Sequence, residues 1–188
     1  MDNRAKLLAC ALDLFSGCGY DAVGVQEIVD AAGVTKPTLY HYFNHKRGLL
    51  DTLLEEQYAP LTGALRLAAA YQGDLVMSLR GVMQAYFGFA AEHPVFYRMT
   101  LTLFFAPPGG ESGQAAGHFT LEQYQWVEEM FKLAAVQHGN LKGRHATYAA
   151  TFIGLINTYI GLSLNGFIQL NDALVYQAVQ QYMYGIFS

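Results

Sequence analysis

Between Val25 and Phe43 two short helical patterns meet at a glycine, which commits this part of the chain to a sharp bend between two rods. The first rod runs from about Val25 to Ala32, with Ile28 and Val29 facing inward, and Gly33 ends it. Thr35 is placed to cap the second, and Pro37 falls in its first turn, where a missing N–H does no harm. The second pattern closes near Phe43. Leu39 and Phe43 lie one turn apart and point inward, while Pro37, Thr38 and His41 sit opposite them, with Tyr40 and Tyr42 on the flanks. Two short helices joined by a glycine-containing turn form a helix-turn-helix.

Charge gives that outward face a purpose. Residues 31–50 contain no carboxylate, although Asp30 and Asp51 flank them, and Lys36, Lys46 and Arg47 give the stretch a formal charge of +3. The whole chain carries −4 at pH 7. A protein of that sign does not coat nucleic acid with its entire surface, but one carboxylate-free patch suits a phosphate backbone, which acids would repel.

The rest of the 188-residue chain also reads as helix, without a useful strand alternation or internal repeat. A first helix spans about Asn3 to Gly17, with Leu8, Ala11, Leu12 and Phe15 on its buried side and Gly19 as its breaker. After the helix-turn-helix, a fourth helix starts behind Asn44 as its N-cap and runs to Tyr58 or beyond Pro60. Further helices are expected from Asp74 to Glu92, Pro94 to about Phe105, Phe119 to His138, and about Ala146 to Phe167, with a last one capped by Asp172 and running to the C-terminus. Residues 106–117, rich in proline and glycine, read as a loop.

Hydrophobic residues make up 53% and charged residues 14%, more apolar surface than a lone chain of this size needs. The excess points to an oligomer interface, a ligand cavity, or both. From Ala146 to Asn171 there are 26 residues without a charge, long enough to span a membrane. Its polar Asn157, Thr158, Ser163, Asn165 and Gln169 argue against that. So does its stripe of small residues on one face, which includes Ala150, Gly154, Asn157 and Gly161 and suits a tight helix pair. Asn157 is compatible with either a pocket or a dimer seam. Cys10 and Cys18 form no metal-type pair, and the amino terminus lacks a signal-peptide pattern, so a reducing cytoplasm is the expected compartment.

The segment "LLACALDLFSGCGYDAVGVQEIVDAAGVTKPTLYHYFNHKRGLL" resembles the amino-terminal DNA-binding domain of TetR-type transcriptional regulators. The likeness covers about residues 4–52. It rests on A-L-x-L-F followed by G-Y, on "AAGVT", on "TLYHYF", and on Lys46 three residues past Phe43. It implies an all-α chain of about nine helices: a helix-turn-helix domain at 1–50, and a helical effector-binding bundle at 51–188 that dimerises through its last two long helices. It implies groove-side roles for Lys36, Thr38, Tyr40 and His41, and backbone-positioning roles for Thr35, Tyr42 and Lys46 on a palindromic double-stranded operator. The chain departs from the family at Val23 and Gly24, where hydroxyl residues usually open the second helix, and Gln26 is expected to replace that contact in part. The plain structural reading of Tyr40 and Tyr42 is that they finish the domain core.

Aromatic residues crowd the carboxy-terminal part. A neutral, hydrophobic or aromatic effector is expected against Phe96, Met99, Phe104, Gln123, Trp126, Met130 and Phe152, although such a stripe also builds ordinary core. No metal or cofactor is implied, because His93, His118, His138 and His145 lack ligand spacing. Enzyme readings fail on their motifs: "GLSLNG" lies inside a helix and does not fit a nucleophile elbow, and "GGESG" lacks the lysine of a phosphate loop. The competing reading is a hydrophobic-ligand sensor or carrier that keeps the motif without binding DNA.

Overall fold

A computed structural model of the chain describes residues 2–107 and 109–185. Among these residues the fold is all-helical, with nine α-helices: α1 (Asn3–Cys18), α2 (Val25–Ala32), α3 (Lys36–Phe43), α4 (Lys46–Ala68), α5 (Leu75–Glu92), α6 (Pro94–Phe104), α7 (Glu111–Ala134), α8 (His145–Leu164) and α9 (Asp172–Tyr184). One turn of 3-10 helix at Gly139–Leu141 precedes α8. None of these helices is long and apolar enough to cross a membrane.

Several boundaries differ from those the sequence suggests. α4 runs through Pro60, which sits on an exposed face where water can serve the carbonyl that loses its partner. Asn44 does not open α4. It ends α3 at φ 63°, with its N–H bonded to the Tyr40 carbonyl. The cap of α4 comes from His45, whose Nδ1 accepts the Gly48 N–H at 2.8 Å. The 106–117 loop is shorter than expected, because α7 begins at Glu111 and buries Ser112, Ala115 and Ala116 (Pro108 lies outside the described residues). Asn171, not Asp172, caps α9 by accepting the Leu174 N–H at 2.9 Å. That helix ends at Tyr184, and residues 186–188 lie outside the described part.

The chain divides into two compact units, Met1–Ala59 with Val95–Thr120, and Pro60–Pro94 with Leu121–Ser188. In the first unit α6 and the first turns of α7 join the amino-terminal helices. In the first unit Tyr58 stacks on Phe119 at 4.8 Å and meets Phe96 edge-on at 4.9 Å. In the second, Phe131, Phe152 and Tyr182 form an aromatic cluster with centroids 4.9 to 6.3 Å apart. Buried aromatic contacts of this kind add roughly 0.5–1.5 kcal/mol each beyond the area they cover.

Candidate functional site

The helix-turn-helix owes its bend to Gly33. Its φ of 64° and ψ of 37° lie in the left-handed region, open to glycine at no steric cost. Its N–H bonds to the Asp30 carbonyl and the Val34 N–H returns to Val29, so these two carbonyls near the end of α2 are satisfied. At the other end of α2, Glu27 reaches back to the Gly24 N–H at 3.0 Å, supplying the bond that a capping hydroxyl does not.

Leu39 and Phe43 anchor α3 at 0% and 4% exposure, as their one-turn spacing predicts. Burying each contributes about 2 kcal/mol. The opposite side stays open. Lys36, Pro37 and His41 are exposed, and Tyr40 and Tyr42 are exposed at 44% and 41%, so neither tyrosine completes the core. His41 packs edge-on against Tyr42 at 5.1 Å. Thr35 occupies the N-cap position, but its hydroxyl sits 3.0 Å from the Thr38 hydroxyl and caps no backbone N–H. Pro37 has removed one of the two N–H groups such a hydroxyl could reach.

The three cations of the carboxylate-free stretch divide in their use. Lys46 Nζ donates to the carbonyls of Tyr20 and Val23, both at 3.0 Å, and stands 4.0 Å from the centre of the Tyr20 ring. Arg47 Nε pairs with Asp51 at 2.7 Å. Lys36, at the first position of α3, makes no ion pair among the described residues. The Gln26 side-chain amide donates to Asp30 Oδ1 at 2.7 Å, so its donor is turned along its own helix, towards a carboxylate.

Other supports were not legible in the sequence. Tyr20 is buried against Phe15 at 5.1 Å, and its hydroxyl donates to Glu111 Oε2 at 2.6 Å. Burial, and then that bond, hold its phenol well above the usual range. Arg4 pairs with Glu56 and lies 5.8 Å over the Phe43 ring. Gly48 packs so closely that an added Cβ would stand 2.2 Å from the Phe43 carbonyl oxygen.

The seven residues expected to hold an effector fall in both units. Phe96, Met99 and Phe104 belong to the first unit and Gln123, Trp126, Met130 and Phe152 to the second. Phe96, Met99, Met130 and Phe152 are buried, and Phe104 is 52% exposed against Phe105. Gln123 accepts the buried Tyr86 hydroxyl at 2.9 Å, which satisfies a core amide. A cavity of ≈ 260 Å³ in the second unit is lined by none of the seven. Its wall includes Asp74, Val76, Phe131, His138, Asn140, Tyr148 and Tyr182. Periodicity alone does not separate a packed aromatic from one that borders a void.

The small-residue stripe of α8 does face outward. Ala150 and Gly154 are exposed and Asn157 and Gly161 half-buried, and a Cβ added at Gly154 or Gly161 would meet nothing within 4 Å. Packing within this chain therefore does not require glycine at either position. Leu162 on α8 and Tyr176 and Tyr184 on α9 are exposed as well.

A bent pair of helices with a buried Leu39–Phe43 seam and an acid-free outer face defines a helix-turn-helix protein, and residues 7–53 match the family described as "Bacterial regulatory proteins, tetR family". That match covers the amino-terminal helices, residues 7–53 of the 188. It is 35% identical over 98 residues to the HTH-type transcriptional activator FasR of Mycolicibacterium smegmatis, covering 52% of this chain and 45% of the relative. It is 38% identical over 64 residues to the HTH-type transcriptional repressor KstR2 of Rhodococcus jostii, covering 34% and 31%. These matches span less than half the length of either relative. The full fold resembles that of the TetR family regulator PfmR from Thermus thermophilus (TM-score 0.76, 20% identity, 100% and 99% of the two chains). It also resembles the regulator FadR from Bacillus subtilis solved with stearoyl-CoA (TM-score 0.77, 18% identity, 97% and 98%).

Proposed function

We propose that the protein is a ligand-responsive transcriptional regulator, acting as a repressor, that binds a palindromic duplex operator as a homodimer in the cytoplasm and is released by a small, mostly hydrophobic effector. The observation that carries this reading is the outer face of α3, free of carboxylates and presenting Lys36, Thr38, Tyr40 and His41 above a fully packed Leu39. In a dimer the two α3 helices reach successive major grooves about 34–36 Å apart or a multiple of that. An effector that favours another subunit arrangement lowers DNA affinity by its differential affinity for the two states. The relatives divide between an activator and repressors, so the direction of control rests on the larger number of repressors among them. A fold neighbour solved with stearoyl-CoA supports an effector with an apolar body.

The test is fluorescence anisotropy on the DNA upstream of the protein's own coding sequence, repeated over a range of salt. Nanomolar binding with a steep salt slope is expected. Binding no tighter than to unrelated duplex would favour the sensor or carrier reading instead.

Lys36 is the residue proposed to read base edges. Lys36→Ala should weaken operator binding about tenfold and narrow the gap between operator and mismatched sites. An equal loss on every sequence would move Lys36 to the phosphate backbone.

The dimer is proposed to form on the α8 stripe with α9. Gly154→Arg fits the isolated chain, where nothing occupies the Cβ direction, and arginine is a better helix former than glycine. It should leave the melting midpoint of a monomer unharmed and weaken dimerisation at least tenfold by sedimentation equilibrium. An unchanged dimer would place the seam elsewhere.

A further inference from the structure

We propose that the second unit carries a binding site for a small organic cation, formed where the amino-terminal end of α5 meets the carboxy-terminal ends of α7 and α9. The inference is independent of the operator reading and adds a ligand chemistry to it.

The cavity at that junction measures ≈ 260 Å³. Pockets for drug-sized ligands usually run from roughly 300 to 1,000 Å³, so this one suits a smaller molecule. Three phenyl or phenol rings line it: Phe131, Tyr148 and Tyr182. Phe131 and Tyr148 are near-parallel at 5.8 Å, and Tyr182 lies 6.3 Å from the first and 6.4 Å from the second. The Tyr182 hydroxyl is committed to the protein. It donates to the Tyr148 carbonyl at 2.6 Å, and Thr151 Oγ1 stands 3.2 Å away. Burial pushes its pKa up to about 12, so it is an uncharged phenol at neutral pH.

The acidic group of the wall is Asp74. Its Oδ1 accepts the Met77 N–H at 2.9 Å and so caps α5. The residue is exposed and makes no ion pair among the described residues, and no lysine or arginine lines the cavity. His138 and Asn140 complete the polar part of the wall.

These features select the sign of the ligand's charge. An anion would meet the Asp74 carboxylate with no lysine or arginine in the wall to offset it. A neutral apolar molecule would cover that carboxylate and strip its water without compensation. A cation gains from both sides, since ring faces carry negative quadrupole density and attract ammonium groups within about 6 Å of their centres. The fitting class is therefore an ammonium on a small aromatic body. Part of the Asp74 charge is balanced by the N-terminus of α5, so one charge-assisted contact of about tenfold in affinity is expected rather than a dominant ion pair.

Titration calorimetry of the full chain tests this with phenethylammonium and benzyltrimethylammonium chlorides. Phenylacetate and 2-phenylethanol serve as anionic and neutral controls of the same shape. Submillimolar binding of at least one cation is expected, with both controls at least tenfold weaker. Asp74→Asn removes the charge and keeps the cap, because asparagine caps helices as well as aspartate. It should weaken the cation about tenfold, leave the neutral control unchanged and keep the melting midpoint. Val76→Phe, which fills the cavity from its wall, should abolish binding. The proposal is overturned by absence of cation binding at millimolar concentration, by phenylacetate binding as tightly, or by both variants titrating like the unaltered protein.

Discussion

Gly48→Ala should destabilise the amino-terminal unit by about 3 kcal/mol, the upper part of what overpacking costs. Helix propensity alone gives the opposite sign, since Gly48 lies in the first turn of α4 and alanine is favoured over glycine in helices by about 1 kcal/mol. Sterics decide the matter. The added Cβ would stand 2.2 Å from the Phe43 carbonyl oxygen and 3.3 Å from its carbonyl carbon. Those are backbone atoms at the end of α3 and cannot swing aside as a flexible side chain would. Relief requires α3 and α4 to part, which pulls Phe43 from the core and breaks the bond from the Gly48 N–H to His45. Urea denaturation of the variant, with operator binding measured in parallel, checks this. A stability equal to or above that of the unaltered protein would mean that the α3–α4 junction is looser than the structure has it.

Lys46→Met should cost about 2 kcal/mol, within the range for losing hydrogen bonds made by a charged donor. Methionine keeps the apolar stem against Tyr20 and removes only the ammonium group. The carbonyls of Tyr20 and Val23 then lose the ammonium together, Tyr20 keeping the Val23 N–H at 3.3 Å, and the cation held over the Tyr20 ring goes with it. The ammonium ties the α1–α2 connection to the start of α4, so its loss loosens the frame on which α3 is held. One of its three N–H groups remains for a DNA phosphate. Operator binding should therefore weaken by a similar factor on every sequence, and the salt slope should fall by about one. Thermal melts and salt titrations of the variant check both parts. An unchanged melting midpoint would show that water serves these carbonyls equally well.

Both predictions concern residues whose importance the sequence conveyed poorly. Lys46 stood out by its spacing from Phe43, which suggested a contact with DNA, whereas its ammonium points at two carbonyls more than twenty residues earlier in the chain. Gly48 carried no signal, because a glycine in a helical pattern looks like a weak point until the neighbouring carbonyl is placed. Glu111 lies 91 residues from Tyr20, and nothing local in either segment announces their bond.

Local order was readable from the chain alone. Leu39 and Phe43, four residues apart, had to share a face, Gly33 had to turn, and the run without carboxylates around them marked where phosphate is tolerated. Such properties follow from backbone geometry and charge, which act over one or two turns. Which aromatics border a void, and which cation is taken up by carbonyls, came from the folded chain. Of the aromatics in the second unit, Phe131, Tyr148 and Tyr182 line the cavity, while buried Phe152, in ring contact with Phe131 and Tyr182, does not. Helical period gives the direction of a side chain from its own axis. What it meets there is set by the packing of other helices, and residues distant in sequence supply that packing.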